Sequence, residues 1–156
     1  MPSGKRKALR LINGLLLTGY LAALMYVCFF SERYGRGVIS EHYRYNLMPF
    51  REIRRFFTYR DILGARAFMI NMFGNVLVFV PFGFMTAVMS PRFRGFFRAV
   101  VLTLALSLGI ETVQLVCRVG TFDVDDLILN TLGGLSGYAV FAAANWLRHK
   151  MAERKQ

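Results

Sequence analysis

Four apolar runs, each long enough to cross a bilayer, leave this chain few ways to fold. A helix needs about 20 mostly apolar residues to span the hydrocarbon core. Residues 8–30, 67–90, 96–117 and 127–147 each supply such a run. No water is available inside a bilayer to satisfy backbone N–H and C=O groups, so each run must close its own hydrogen bonds as a helix. The expected fold is therefore all-α, an integral membrane four-helix bundle. The first run follows the basic leader "KRKALR". It is longer than a signal-peptide core and no small-residue cleavage motif follows it, so it reads as an uncleaved anchor. No linker or repeat divides residues 1–156, which read as one membrane domain.

Composition narrows the class of partner. The chain is 55% hydrophobic and 15% aromatic, with a net charge of +11. Basic residues bordering apolar runs point to anionic lipid headgroups rather than nucleic acid. Cys28 and Cys117 lie in apolar stretches and read as inert thiols. With only His42 and His149 besides, no zinc spacing exists. No Gly-rich phosphate loop is present either, and no cofactor is expected. Oligomeric state is left open.

Orientation follows from basic residues near the spans. With both termini cytoplasmic, Lys5, Arg6, Lys7, Arg10, Arg92, Arg94, Arg98, Arg148, Lys150, Arg154 and Lys155 lie inside. Arg33, Arg36, Arg44, Arg51, Arg54, Arg55, Arg60, Arg66 and Arg118 then lie outside. The count is 11 against 9, and all four lysines fall inside. The outer side uses Arg alone, the residue suited to planar, bidentate pairing with carboxylate or phosphate. The loop at 31–66, between the first two spans, is thus expected to fold against the protein or the headgroups. Within it, Pro49 imposes an extended approach. Across Phe50 and the following "REIRRFFTYRDIL", Phe50, Ile53 and Phe57 share a helical face opposed to Arg51, Arg55 and Thr58. A short interfacial helix and a packed extramembrane loop both fit this pattern.

The costliest residues sit where the third and fourth runs meet. At 100° per residue, Ser107, Glu111, Gln114 and Arg118 point the same way. Glu111 and Arg118 are about 10 Å apart along the axis, too far to pair directly. Glu111 therefore needs a partner on another helix, or a proton. The fourth run answers with Asp126, Asn130, Gly133 and Gly137 on one arc, its glycines allowing close helix approach. On the second, Asn71 and Asn75 are one turn apart, and Pro81 interrupts the ladder and predicts a kink. These polar faces converge on one membrane surface, rimmed by Arg66, Arg118, Asp123, Asp125 and Asp126. Simpler roles stand beside a ligand pocket. Asp123 is placed to cap the fourth helix, the asparagines to bond between helices, and "DVDD" is at most a weak oxygen-ligand set for a divalent cation.

The chain resembles the VanZ-like family of membrane proteins. The resemblance rests on "NLMPF" at 46–50, "NMFGNVLVFVPFGF" at 71–84, "IETVQLVCRVGTFDVDDLILNTLGG" at 110–134 and "GY" at 137–138, in that order within apolar helices. It implies a multi-pass protein of the bacterial cytoplasmic membrane, associated with low-level resistance to the glycopeptide teicoplanin. Three roles then stand as expectations. In the first, an outward polar pocket binds an anionic headgroup or a lipid-linked wall precursor. Arg66 and Arg118 hold the anion, and Asn71, Asn75, Glu111, Gln114, Asp123, Asp125, Asp126 and Asn130 complete the site. In the second, the protein is an enzyme acting on an outer-leaflet lipid or precursor, with Glu111 as acid or base. In the third, the cluster is structural and the bundle binds a partner.

Overall fold

The computed structural model describes residues 3–30 and 40–154. Arg33, Arg36, Lys155 and the start of the long loop lie outside the described residues, as do the side chains of Lys5, Arg6 and Arg10. Helix α1 is Ser3–Phe30. It is followed by strand β1, Arg44–Asn46, and the short helices α2, Arg51–Thr58, and α3, Arg60–Leu63. Helix α4, Ala65–Met89, leads through a 3₁₀ turn at Pro91–Phe93 to α5, Phe96–Cys117. Strand β2, Thr121–Asp123, then runs into α6, Val124–Glu153. Among the described residues, four helices are long and apolar enough to cross a membrane: Leu11–Phe30, Phe68–Met89, Phe96–Cys117 and Val124–Glu153.

The bundle is built on glycine. Helices α4 and α6 make the most extensive helix pair. A Cβ built on Gly133 would overlap the Val76 carbonyl oxygen, and one on Gly137 that of Val80. Gly134 lies where three helices meet: its carbonyl occupies the place of a Gly83 side chain, and its own Cβ would overlap the Thr103 hydroxyl of α5. Lipid tails are as apolar as the side chains they replace, so helix association here depends on close packing, which these glycines permit. Helix α4 runs as one helix across Pro81.

Helix α1 is attached by an apolar patch and by side-chain bonds to backbone. Leu24 packs with Phe79 and Ile110. Asn13 Nδ2 donates to the Met85 carbonyl at 3.0 Å, and the Tyr20 hydroxyl donates to that of Val78 at 2.7 Å. Leu11, Leu15, Leu77, Val101 and Val140 remain exposed on helix exteriors, as a lipid-facing surface requires.

Two features depart from the sequence reading. The chain is all-α save for a parallel pair, β1 with β2, in register Arg44↔Thr121, Tyr45↔Phe122 and Asn46↔Asp123. Strands of three residues are too short to show alternation. The segment is helical, as α2 and α3, but its packed residue is Phe56, 7% exposed, whereas Phe50 and Phe57 are 60% and 53% exposed. Phe50 precedes the helix in the left-handed region, at φ 64°. Its side chain therefore does not follow the helical periodicity assumed for it.

Candidate functional site

The polar residues at the α5–α6 hairpin are bound chiefly to the ends of helices. A helix terminus leaves backbone N–H or C=O groups without intrahelical partners, and close to a bilayer those groups need protein acceptors and donors. Asp125, 1% exposed, supplies the most demanding case. Its carboxylate accepts from the amides of Phe50, Glu52 (2.8 Å) and Ile53 (3.1 Å). It thus caps α2 from a distant part of the chain. Phe50, at the N-cap position, makes no side-chain cap bond of its own. The negative carboxylate also meets the positive end of the α2 dipole.

Asp123 works at two ends. Its Oδ1 accepts the Asp125 amide at 2.9 Å, capping α6 as the sequence implied, and also accepts from Asn46 Nδ2 at 3.1 Å. Asn46 Oδ1 in turn receives the Met48 amide. This chain of bonds continues the β1–β2 ladder into the entry of α2. Burial raises the Asp123 carboxyl above its usual range, against the lowering effect of these two hydrogen bonds.

Glu111 finds its partner across the hairpin. Its Oε2 accepts the Asp123 amide at 3.1 Å, and the residue is 3% exposed. Gln114 Nε2 donates to the Cys28 carbonyl at 2.9 Å, satisfying an acceptor in the last turn of α1. One turn below Glu111, Ser107 Oγ accepts from Asn130 Nδ2 at 2.8 Å. Asn75 Nδ2 donates to Asp126 Oδ1, joining α4 to α6. Among the described residues, Gln114 Oε1, Asn130 Oδ1 and Thr103 Oγ1 are buried without a hydrogen bond.

Ser107, Glu111 and Gln114 share the buried face of α5, as their spacing implied. Arg118 does not continue it. The helix ends at Cys117, and Arg118 turns into the left-handed region, at φ 57°. Its guanidinium lies 4.5 Å from the centroid of the Tyr43 ring, with Nη2 3.3 Å from the hydroxyl. Its carbonyl accepts the Ser40 amide at 2.9 Å. Arg66 is exposed, and Asn71 is half-buried on α4. The three aspartates diverge towards α2, Asn46 and α4. Among the described residues, no cluster of three His, Cys, Asp or Glu side chains is arranged to hold a metal.

Asn46 and Tyr43 belong to this junction although sequence reasoning assigned them no role. One signal was available for Asp125. The segment before "REIRRFF" has no Ser, Thr, Asp or Asn at the N-cap, so a capping group had to come from elsewhere.

The arrangement makes a graded prediction for Glu111. Glu111→Ala leaves the buried Asp123 amide without this acceptor and is expected to cost about 1–3 kcal/mol. Glu111→Gln keeps an acceptor oxygen and should cost less. The thermal midpoints of the two purified variants in detergent check this, and equal losses would contradict it.

The same polar stretch lies inside a match to known proteins. Residues 17–146 match the family model described as VanZ/LLP1. The Enterococcus faecium protein named Protein VanZ is 30% identical over 138 residues, covering 87% of this chain and 77% of that protein. No solved structure gives a significant match. With four membrane-length helices and a family match over most of its length, this chain is a membrane protein belonging to the VanZ/LLP1 family.

Proposed function

We propose that this protein lowers the sensitivity of the bacterial cell surface to the glycopeptide teicoplanin. In this reading it sits in the cytoplasmic membrane with both termini inside. Its arginine face meets an anionic lipid headgroup or a lipid-linked wall precursor on the outer side. Family membership supports the coarse part of the reading. One observation carries the finer part. The Asp125 carboxylate fixes α2 from the bundle, so Arg51 and Arg54 are exposed on an ordered element. Arg118, half-buried over Tyr43, borders the same junction. Preorganised guanidinium groups bind anions with less entropy lost than mobile ones.

The hydrogen-bonded carboxylates and amides then divide from the arginines by role. Glu111, Gln114, Asp123, Asp125, Asp126 and Asn130 hold the junction together, and Arg66 and Arg118 meet the ligand. That division takes over the structural reading of the cluster, which the mutual hydrogen bonds favour, and adds a binding surface to it.

The test compares teicoplanin sensitivity and surface-bound teicoplanin in cells expressing wild type, Arg118→Ala or Arg66→Ala at matched protein levels. Wild type is expected to reduce sensitivity. Loss of one charge-assisted bond should weaken ligand affinity about tenfold and remove most of that effect. If neither the protein nor the arginine substitutions changes the response, the reading fails. If Glu111→Gln alone abolishes the effect while the protein stays folded, acid–base chemistry at Glu111 replaces it.

A further inference from the structure

Away from the junction, the elbow between α3 and α4 contains an open cavity of about 350 Å³ lined by Arg60, Asp61, Gly64 and Phe68. Its lining is ordered as a phospholipid is. Arg60 stands at the end of the elbow that precedes the apolar span, with its side chain 67% exposed. Phe68 is the first residue of that span. Its ring is held edge-on by Phe57 at 5.1 Å between centroids. Gly64, at φ 83°, makes the bend between them, and a Cβ built there meets nothing within 4 Å. A cation at one end and an aromatic ring on an apolar span at the other match the headgroup and acyl chain of one lipid molecule.

Charge decides which lipid. Glu52 is taken by Arg55 at 2.8 Å. Asp61 reaches Arg60 only at 3.8 Å and is itself 91% exposed. The guanidinium of Arg60 thus retains donors for a phosphate, and the exposed Arg51, Arg54 and Arg66 add to the positive field of the segment. A zwitterionic headgroup would bring its own cation into that field.

We propose that this cavity holds one anionic phospholipid of the surrounding leaflet, with its phosphate on Arg60 and an acyl chain along Phe68. The site on Arg60 and Phe68 is separate from Arg118, and direct lipid titration tests it whether or not the resistance reading holds.

The full chain, purified and delipidated in detergent, is titrated with phosphatidylglycerol or phosphatidylcholine and examined by native mass spectrometry. One phosphatidylglycerol is expected to bind about tenfold more tightly than phosphatidylcholine, the effect of one charge-assisted contact. Arg60→Gln should remove that preference, Arg60→Lys should restore part of it, and Asp61→Asn should strengthen it. Equal binding of the two lipids, or a preference unchanged in Arg60→Gln, overturns the proposal. So does displacement of phosphatidylglycerol by inorganic phosphate alone, which would mark a free-anion site. Should Arg60→Gln fail to fold, Asp61→Asn decides: tighter phosphatidylglycerol binding supports the proposal, and unchanged binding overturns it.

Discussion

Gly133→Ala is expected to leave little correctly folded protein, although it adds one methyl group. A Cβ there falls on the carbonyl of Val76, and Phe79 Cβ closes the other side. Neither obstacle is a flexible side chain, so relief requires α4 and α6 to move apart. Separation would also disturb the Gly134 crossing, where α4, α5 and α6 meet. Overpacking of this kind costs about 1–3 kcal/mol where side chains can yield. With backbone as the obstacle, the upper end or beyond is expected. Gly109→Ala is the matched control. It also lies within a membrane helix, but its Cβ would meet nothing within 4 Å. Helical propensity alone predicts a gain of about 0.5–1 kcal/mol there. The yield of monodisperse protein and its thermal midpoint in detergent check both variants. Equal behaviour of the two would show that the close crossing of α4 and α6 is mistaken.

Asp125→Ala is expected to release α2 while the four long helices stay assembled. Three amides lose a charged acceptor at once, and hydrogen bonds to a charged group contribute about 1.5–3 kcal/mol net. No local side chain can substitute, because Phe50 occupies the N-cap position. The four long helices retain their own contacts, including Asn75 to Asp126 and Asn130 to Ser107. Trypsin should therefore cut more quickly after Arg51, Arg54 and Arg55 in this variant, while its thermal midpoint falls less than that of Gly133→Ala. Asp125→Asn keeps one acceptor oxygen but loses the charge, so it should fall between wild type and Asp125→Ala. Loss of the whole bundle would mean that Asp125 serves the core rather than α2.

The long helices were legible because bilayer thickness converts directly into a length of apolar sequence. The third span is the clearest case: hydropathy marks residues 96–117, and α5 is Phe96–Cys117. The last helix extends past its apolar window, to Glu153, because helical hydrogen bonding does not stop where lipid does. Faces were legible too. Ser107, Glu111 and Gln114 are buried together, as are Asn130, Gly133 and Gly137. Partners were not. Periodicity gives the direction of a side chain within its own helix, but it does not say which other segment lies opposite. Asp125 meeting the amides of residues 50–53, or Gln114 meeting the last turn of α1, depends on long-range assembly. Arg118 shows the second limit. Its direction was read at 100° per residue, and that rule ceased to apply when the helix ended one residue earlier. The parallel β1–β2 pair joins Asn46 to Asp123, 77 positions apart, and three-residue strands left no pattern to read.

The carboxylates at the α5–α6 hairpin order helix ends, and Asp125 holds α2 in place. Amide hydrogen exchange at Phe50, Glu52 and Ile53 tests it most directly, comparing wild type with Asp125→Ala in the same detergent. A loss of about 3 kcal/mol of local stability corresponds to roughly 100-fold faster exchange at these amides. Exchange at Thr103 and Ser107, in the centre of α5, should be unchanged. Unaltered exchange at the three α2 amides, or equal acceleration at all these positions, would contradict the claim.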